Sequence, residues 1–285
     1  MITGTHELWK TIDTDYRKDS QYCPCGLFLY RLKLPATLPG LSGKRWLFMS
    51  DFHLRNETVK CFPGKIFRNY NIDWLRQGIR EAVAAVRPDF FIFGGDLIGS
   101  AVWIDDGLQV LADTVPSNIS RIAIPGNWEV RREKWLGTDF WKRCFTRIGF
   151  HYLSNEMLDM DPVCFYGFDD YKNGSPHPPP ADFTEISRRY CTILSHNPDA
   201  VPGFLKKRDL KLIDLILCGH THGGQVRIPG FGALKTSSVY GKRFERGLYV
   251  HRKTGTKMMI SAGIGTTWYP VRFFCPPEAV FIEFI

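Results

Sequence analysis

At 285 residues, 44% hydrophobic and 23% charged, the chain has the composition of an ordinary globular protein with material for a sizeable core. No run approaches the roughly 18 apolar residues of a membrane span, and the opening MITGTHELWKTIDTD has neither a basic leader nor an apolar core, so the reading is a soluble chain in a reducing compartment. The net charge of +8 predicts a preference for anionic surfaces or substrates, while the lack of helix-turn-helix, zinc-finger and RNP-type patterns argues against nucleic acid.

Residues 1–26 read as a polar, irregular surface arm. It carries Cys23 and Cys25 in YCPCG. Two thiolates so close can share a metal, but no second CxxC or Cys/His pair accompanies them, and the eight cysteines are scattered, most within apolar runs as Cys191 and Cys218 are; buried free thiols are expected. From Leu27, LFLYRLKLP alternates as a strand, TLPGLSG supplies a turn, and KRWLFMSDFHL reads as a buried strand running into charged residues. IDWLRQGIREAVAAV (72–86) has helical spacing and is stopped by Pro88. DFFIFGGD is again a strand, WIDDGLQVLADTV a helix, ISRIAIPGN a strand, and YCTILSHNP and LIDLILCGHTHGG continue the series. Such alternation predicts an α/β fold with ligands gathered at the carboxyl ends of the strands. From about residue 225 the segments are β- and turn-rich, which predicts a second sheet and no second independent domain.

Five strand ends present, in order, Asp51 with His53, Asp96, Asn127, His196, and His220 with His222. Each alone reads most simply as a hydrogen-bonded structural residue. Together they take four of the eight histidines, each beside Gly, Asn, Asp or Thr at the end of an apolar run. Imidazole with carboxylate and amide oxygen suits intermediate divalent cations, and the set is too large for one ion. With Asp96 bridging, two cations roughly 3.5–4 Å apart would clamp a phosphoryl group and lower the pKa of a bound water.

The series D-F-H at 51–53, G-D at 95–96, G-N-W at 126–128, S-H-N-P at 195–198 and G-H-T-H-G-G-Q at 219–225 resembles the calcineurin-like metallophosphoesterases, whose pattern is DxH, GD, GNH, H and GHxH. The resemblance runs from Leu27 to the C-terminus. LPGLSGKRWLFMSDFHL, GGQVRIPG and SAGIGTTWYPVRFFCPPE are similar to the branch of YkuE and YaeI phosphoesterases. The resemblance implies two packed mixed β-sheets flanked by helices, spanning 27–285 as one domain. It implies two divalent metal ions, commonly Mn2+ with Zn2+ or Fe as alternatives. Asp51, His53 and His222 would hold one, Asn127, His196 and His220 the other, and Asp96 would bridge; Asp51, Asp96, Asn127 and His220 are the catalytic candidates.

The family's GNH histidine, credited with assisting the leaving oxygen, is here Trp128. An indole N–H can donate a hydrogen bond but delivers no proton near neutrality. An alkoxide leaving group, with a conjugate acid near the pKa of water at about 15.7, needs that proton. A phosphate monoester leaving from a pyrophosphate has a second pKa of about 6 and departs as the anion. Three readings follow: a pyrophosphatase, a broad phosphodiesterase in which His151, His177 or a lysine replaces the acid, and a non-catalytic metal-binding membrane scaffold. Within the branch, the altered position is similar to that of lipid A pathway hydrolases, which implies cleavage of UDP-2,3-diacylglucosamine to UMP and 2,3-diacylglucosamine 1-phosphate. The implied partners are a lipid-linked nucleotide and an anionic membrane surface, with the protein cytoplasmic and peripherally associated with the inner membrane.

EVRREKWLGTDFWKRCFTRIGF (129–150) sets Trp135, Leu136, Phe140, Trp141, Cys144, Phe145 and Ile148 at near-helical spacing among arginines and lysines. Such a segment, around 129–149, either lies at a lipid interface or packs its apolar face on the sheet. With Trp103, placed soon after Asp96, Trp128 and Trp135 are candidates for walling an acyl groove, and Arg55, Lys65 or Arg68 for meeting phosphates. FYGFDDYKNGSPHPPPADF reads as a loop over the site, with Asp169 and Asp170 expected to bond backbone in a turn and not metal.

Overall fold

A computed structural model of the chain describes residues 7–11, 19–55, 57–62, 66–137, 139–180, 183 and 189–285. Lys65 lies outside these residues, as does the side chain of Arg68.

Two seven-stranded mixed sheets carry the described residues. The first runs β2 (Gln21–Tyr22), β3 (Phe28–Leu34), β19 (Glu278–Phe284), β4 (Arg45–Met49), β7 (Phe90–Phe93), β8 (Ser120–Ala123) and β9 (His151–Tyr152). The second runs β1 (Trp9–Thr11), β16 (Gly247–His251), β17 (Lys257–Ile260), β13 (Leu215–Cys218), β12 (Tyr190–Ser195), β11 (Val163–Gly167) and β10 (Glu156–Met160). A three-stranded sheet of β18 (Val271–Phe273), β5 (Glu57–Phe62) and β6 (Ile66–Tyr70) and a hairpin of β14 (Arg227–Ile228) and β15 (Gly232–Ala233) lie beside them.

Side-chain alternation along the strands builds the layers. In β4, Trp46 and Phe48 point between the two sheets, where they meet Phe165, Leu194, Leu217 and Met259 of the second. Leu47 and Met49 point outward to the helices α1 (Ile72–Val86), α2 (Ile104–Thr114) and α4 (Phe140–Arg147). The outer face of the second sheet, with Ile193, Ile216 and Ile260, is covered by Ala200, Val201 and Leu210. Helix α1 starts where the Asn71 side chain accepts from Trp74 N (3.0 Å) and ends at Arg87, in left-handed backbone ahead of Pro88.

Parallel pairing β4–β7–β8 in one sheet and β12–β13–β17 in the other sends all these strands out toward the same edge of the sandwich. Hydrogen bonds and close contacts between the loops that follow them then bring the predicted site residues together.

Three expectations need correcting. The arm is not wholly irregular: Trp9 is buried against His251 at 5.2 Å between ring centroids, and β1 and β2 each extend a sheet. The C-terminal strands do not all form a second sheet, because β19 is apolar on both faces and inserts between β3 and β4 in the first, where both faces are covered. The 129–149 stripe, apart from exposed Trp135, packs its apolar side chains toward the sheet. It breaks at Gly137 into α3 (Asn127–Leu136) and α4; Trp141 and Phe145 are fully buried, and Trp141 Nε1 donates to Glu129 O (2.9 Å).

The described cysteines are all free thiols. Burial pushes Cys23 up to about 11 and Cys25 up to about 12, and neither joins a group able to hold a metal among the described residues.

Candidate metal centre

The strand-to-loop turns that carry the site are sharp. Asp51, His53, Asp96, His220 and His222 all have positive φ, between 43° and 69°, a region that L-residues enter at a cost of about 1–3 kcal/mol each. Two glycines make the crowding feasible: a Cβ on Gly126 would stand 2.3 Å from Asp96 N, and one on Gly219 would stand 2.5 Å from Asp51 Oδ2.

All seven predicted ligands converge, six of them buried and Asn127 partly so. Asp51, His53 and His222 form one group and Asp96, His196 and His220 a second, each with its donor atoms within 4.8 Å of one another. Asp96 Oδ2 stands between the groups, 3.2 Å from His53 Nε2 and 3.2 Å from His196 Nε2. Asn127 Oδ1 is 3.2 Å from His196 Nε2, and His220 Nδ1 is 3.2 Å from the same atom.

The ring protons decide what this arrangement needs. His196 Nδ1 is 2.7 Å from Gly94 O and His222 Nδ1 is 3.3 Å from Gly265 O; a carbonyl only accepts, so both Nδ1 atoms carry hydrogen. The Nε2 lone pair of a neutral His196 then faces Asp96 Oδ2, Asn127 Oδ1 and His220 Nδ1, while that of His222 faces Asp51 Oδ1 (3.4 Å) and His53 Nε2 (3.1 Å). Lone pairs converging in a buried space need a proton or a cation. The chain's donors therefore fit two divalent ions, with the backbone carbonyls orienting the imidazoles from behind.

Without a cation, protons do that work. Burial opposes a charge on His196, yet the carboxylate of Asp96 overrides it and pushes the ring up to about 10. Burial likewise opposes ionisation of Asp96, but His196 and His53 hold its carboxyl well below the usual range. Burial pushes Asp51 up despite His196. Burial and the charge of His196 hold His220 well below its ordinary value, and burial and His53 do the same for His222. Neutral imidazoles are the form that ligates metal.

Trp128 stands at the rim. Its backbone N–H donates to Asp96 Oδ1 (2.8 Å), its ring meets His53 edge-on at 5.5 Å between centroids, and the Arg132 guanidinium covers the indole at 4.7 Å. Arg132 also donates to Trp128 O (2.9 Å) and Gly99 O (3.2 Å). Arg55 donates to Thr266 O and lines a cavity of about 310 Å3 with Trp103, Ile72 and Arg76. Trp135 is not brought in: it lies 83% exposed near the far end of α3, eight residues or about 12 Å along the axis from Asn127. Exposed His151 and His177 make no contact with the seven ligands among the described residues.

Asp169 and Asp170 play the expected turn roles. Asp170 Oδ2 accepts from Lys172 N (2.9 Å) and Asn173 N (2.6 Å), and Asp169 Oδ2 from Ser175 N (2.7 Å). Asn173 Nδ2 donates to Asn127 O (3.1 Å), which ties this loop to the centre, and the charge of Lys172 is among those that depress His220.

Three residues escaped the sequence reading. Glu129 is fully buried, and its carboxylate accepts from Asp96 N (2.7 Å), Leu97 N (2.8 Å) and Gly126 N (2.9 Å). Its one signal is an acid at the third position of a helix that opens on a glycine, half of a capping box. Arg272, fully buried, donates to Ala262 O (3.0 Å), Gly263 O (3.1 Å) and Gly265 O, and so holds the loop whose carbonyl orients His222. Lys172 is the third.

Comparison with known proteins agrees with this geometry. Residues 44–224 match the family model described as calcineurin-like phosphoesterase. The chain is 35% identical to the phosphodiesterase YaeI of Escherichia coli, over 93% of this chain and 91% of YaeI. It is 30% identical to the uncharacterized metallophosphoesterase YkuE of Bacillus subtilis over 67% of this chain and 66% of YkuE, just under two thirds of that protein's length. To the UDP-2,3-diacylglucosamine pyrophosphatase LpxG of Chlamydia muridarum it is 24% identical, over 86% of this chain and 85% of LpxG. Every side chain of the converging cluster falls inside the matched span, and the chain belongs to the calcineurin-like phosphoesterase family.

Proposed function

We propose that this metal-dependent phosphoesterase hydrolyses the pyrophosphate of UDP-2,3-diacylglucosamine, releasing UMP and 2,3-diacylglucosamine 1-phosphate at the cytoplasmic membrane face. The observation that carries the reading is Trp128: it stands at the rim beside His53 with no titratable proton, and neither His151 nor His177 meets the candidate ligands among the described residues, which leaves Lys172, whose charge acts on His220, as the lysine of the diesterase reading. A phosphate monoester leaving group dispenses with that proton, whereas an alkoxide does not. The 24% identity to LpxG supports the choice of substrate.

Asp51, His53 and His222 would hold one divalent ion and Asn127, His196 and His220 the other, with Asp96 shared; Mn2+ is the preferred ion. Two such ions supply charge to offset a phosphoryl group and lower the pKa of a water. The chain's own residues do the rest. Glu129 and the N–H of Trp128 hold Asp96 in its left-handed conformation. Lys172, Arg55 and Arg132 bring positive charge to the rim, suited to phosphate oxygens, while the Trp128 indole and Trp103 offer apolar surface to the rest of the substrate. Trp135, on the far end of α3, has no part in it.

A broad phosphodiesterase is the second reading, favoured by the 35% identity to YaeI. The two separate in one experiment: UMP release from UDP-2,3-diacylglucosamine in mixed micelles with Mn2+, against cleavage of bis-p-nitrophenyl phosphate under the same conditions. Rapid UMP release with poor aryl-diester cleavage supports the pyrophosphatase. The opposite ranking overturns it in favour of the diesterase.

A further inference from the structure

Large apolar side chains are exposed together on one rim of the metal centre. Trp268 (91% exposed) and Tyr269 (76%) cap the loop after β17, and Ile228, Phe231 and Leu234 are exposed on the β14–β15 hairpin. Gln225 joins the two tips: its Nε2 donates to Thr267 O (3.1 Å) and Tyr269 O (3.3 Å), and the next residue, Val226, bridges Phe273. The same loop reaches the centre, since Gly265 O orients His222 and Thr266 O accepts from Arg55. Trp268 also has a φ of 63°. Left-handed backbone at a bulky residue is unfavourable by about 1–2 kcal/mol, and nothing in the fold is gained by holding an indole in water.

Positive charge adjoins these tips. Lys235, Lys242 and Arg243 are exposed, and Lys242 Nζ donates to Phe231 O (3.2 Å) while lying over its ring. Lys242 and Arg243 also line a shallow depression of about 570 Å3 with Lys10 and Arg252, in which Glu7 is the single acid.

We propose that this edge is a membrane-docking surface for anionic phospholipid. The indole and phenol seat among the headgroups, the hairpin tips enter the acyl boundary, and the basic residues face lipid phosphates. Tryptophan, tyrosine and Lys/Arg together are the composition of a bilayer interface. The apolar groups stand on separate loop tips, and the flanking charge is mostly positive, with Glu7 the single acid of the depression, on a chain of net +8. A lipid-linked substrate then enters the centre from the bilayer side. That consequence rests on the proposed function; the docking itself does not.

The test is sedimentation of the full chain with vesicles of phosphatidylcholine alone or mixed with phosphatidylglycerol, in chelator and without substrate. Binding is expected to the mixed vesicles only, weakening with salt. Trp268→Ala with Tyr269→Ala should reduce it by more than about tenfold, and Lys242→Gln with Arg243→Gln by about fivefold per charge removed. These side chains are exposed, so circular dichroism and turnover of soluble bis-p-nitrophenyl phosphate should match the wild type. Equal binding by wild type and the aromatic double variant overturns the proposal, as does equal binding to neutral vesicles. Concentration-dependent dimerisation lost in the same variant reassigns the surface to a second copy of the chain. Because binding is measured in chelator and without substrate, failure to release UMP leaves a positive binding result standing, and UMP release in micelles does not mask a negative one.

Discussion

Replacing Glu129 by glutamine separates the role of this carboxylate from that of the metal ligands it supports. Burial, then the charge of Asp96, pushes Glu129 up to about 7, so in the metal-free protein near neutrality much of it is already protonated, and Gln resembles that form. A cation beside Asp96 removes the repulsion and favours the ionised form, whose oxygens accept all three N–H groups at 2.7, 2.8 and 2.9 Å. In the Gln variant one oxygen can keep Asp96 N and Gly126 N, but the amide NH2 then faces the N–H of Leu97. Losing one charge-assisted bond and stranding a buried donor costs roughly 2–4 kcal/mol. For a chain of 285 residues that is a Tm lower by roughly 3–7 °C, with metal present. The assay is thermal unfolding of both proteins with chelator and with added Mn2+, and titration calorimetry for affinity. Chelated wild type and Glu129→Gln should melt within a few degrees of each other, whereas Mn2+ should raise the wild type far more and bind the variant at least about thirtyfold more weakly. The pH dependence has a definite sign. An acid raised from 4.5 to about 7 by folding contributes stability that is complete below 4.5 and is lost as pH rises through about 7. Metal-free wild type should therefore lose stability over that window relative to the Gln variant, which has no such proton. Equal stabilisation of both proteins by Mn2+ would refute the reasoning.

Two further outcomes test the chemistry. Asp96→Ala and His220→Ala should each abolish UMP release, whereas Trp128→His, which keeps the backbone N–H on Asp96 Oδ1, should retain turnover within about tenfold of wild type; near-total loss in the latter sinks the tolerance argument for that position. Lys172→Ala should lower kcat/KM for the pyrophosphate about tenfold and flatten its dependence on ionic strength, because an exposed cation at the rim acts through long-range attraction; an unchanged salt profile removes Lys172 from the site.

The convergence of the seven candidate ligands was legible because each follows an apolar strand, and parallel strands of two packed sheets send their loops to one edge. What supports the ligands was not legible, for a physical reason. Glu129 and Arg272 bond to backbone groups, the N–H of Asp96, Leu97 and Gly126 and the carbonyls of Ala262, Gly263 and Gly265. Every residue carries such groups, so no residue type marks the partner. The Trp/Phe stripe of α4 misled for a related reason: its period is the same whether the apolar face meets a sheet or a lipid, and Trp141 and Phe145 are drawn to the sheet by Phe93 and Tyr152. The exposed tips at 228–234 and 268–269 have no period at all and were invisible to a search for one.

Position 128 brings the two kinds of legibility together. Its contribution to the cluster is a backbone N–H held on Asp96 Oδ1, which any residue but proline supplies. Its side chain leans over His53 without joining the ligands, and Arg132 steadies it from the other side. The backbone constraint and the chemical role at this position are thus separable, and the residue there is free to change while the seven ligands stay in place. On the proposed function, exchanging this one rim side chain would change the leaving group the centre serves: histidine would suit an alkoxide that must be protonated, tryptophan a phosphate monoester that leaves unaided.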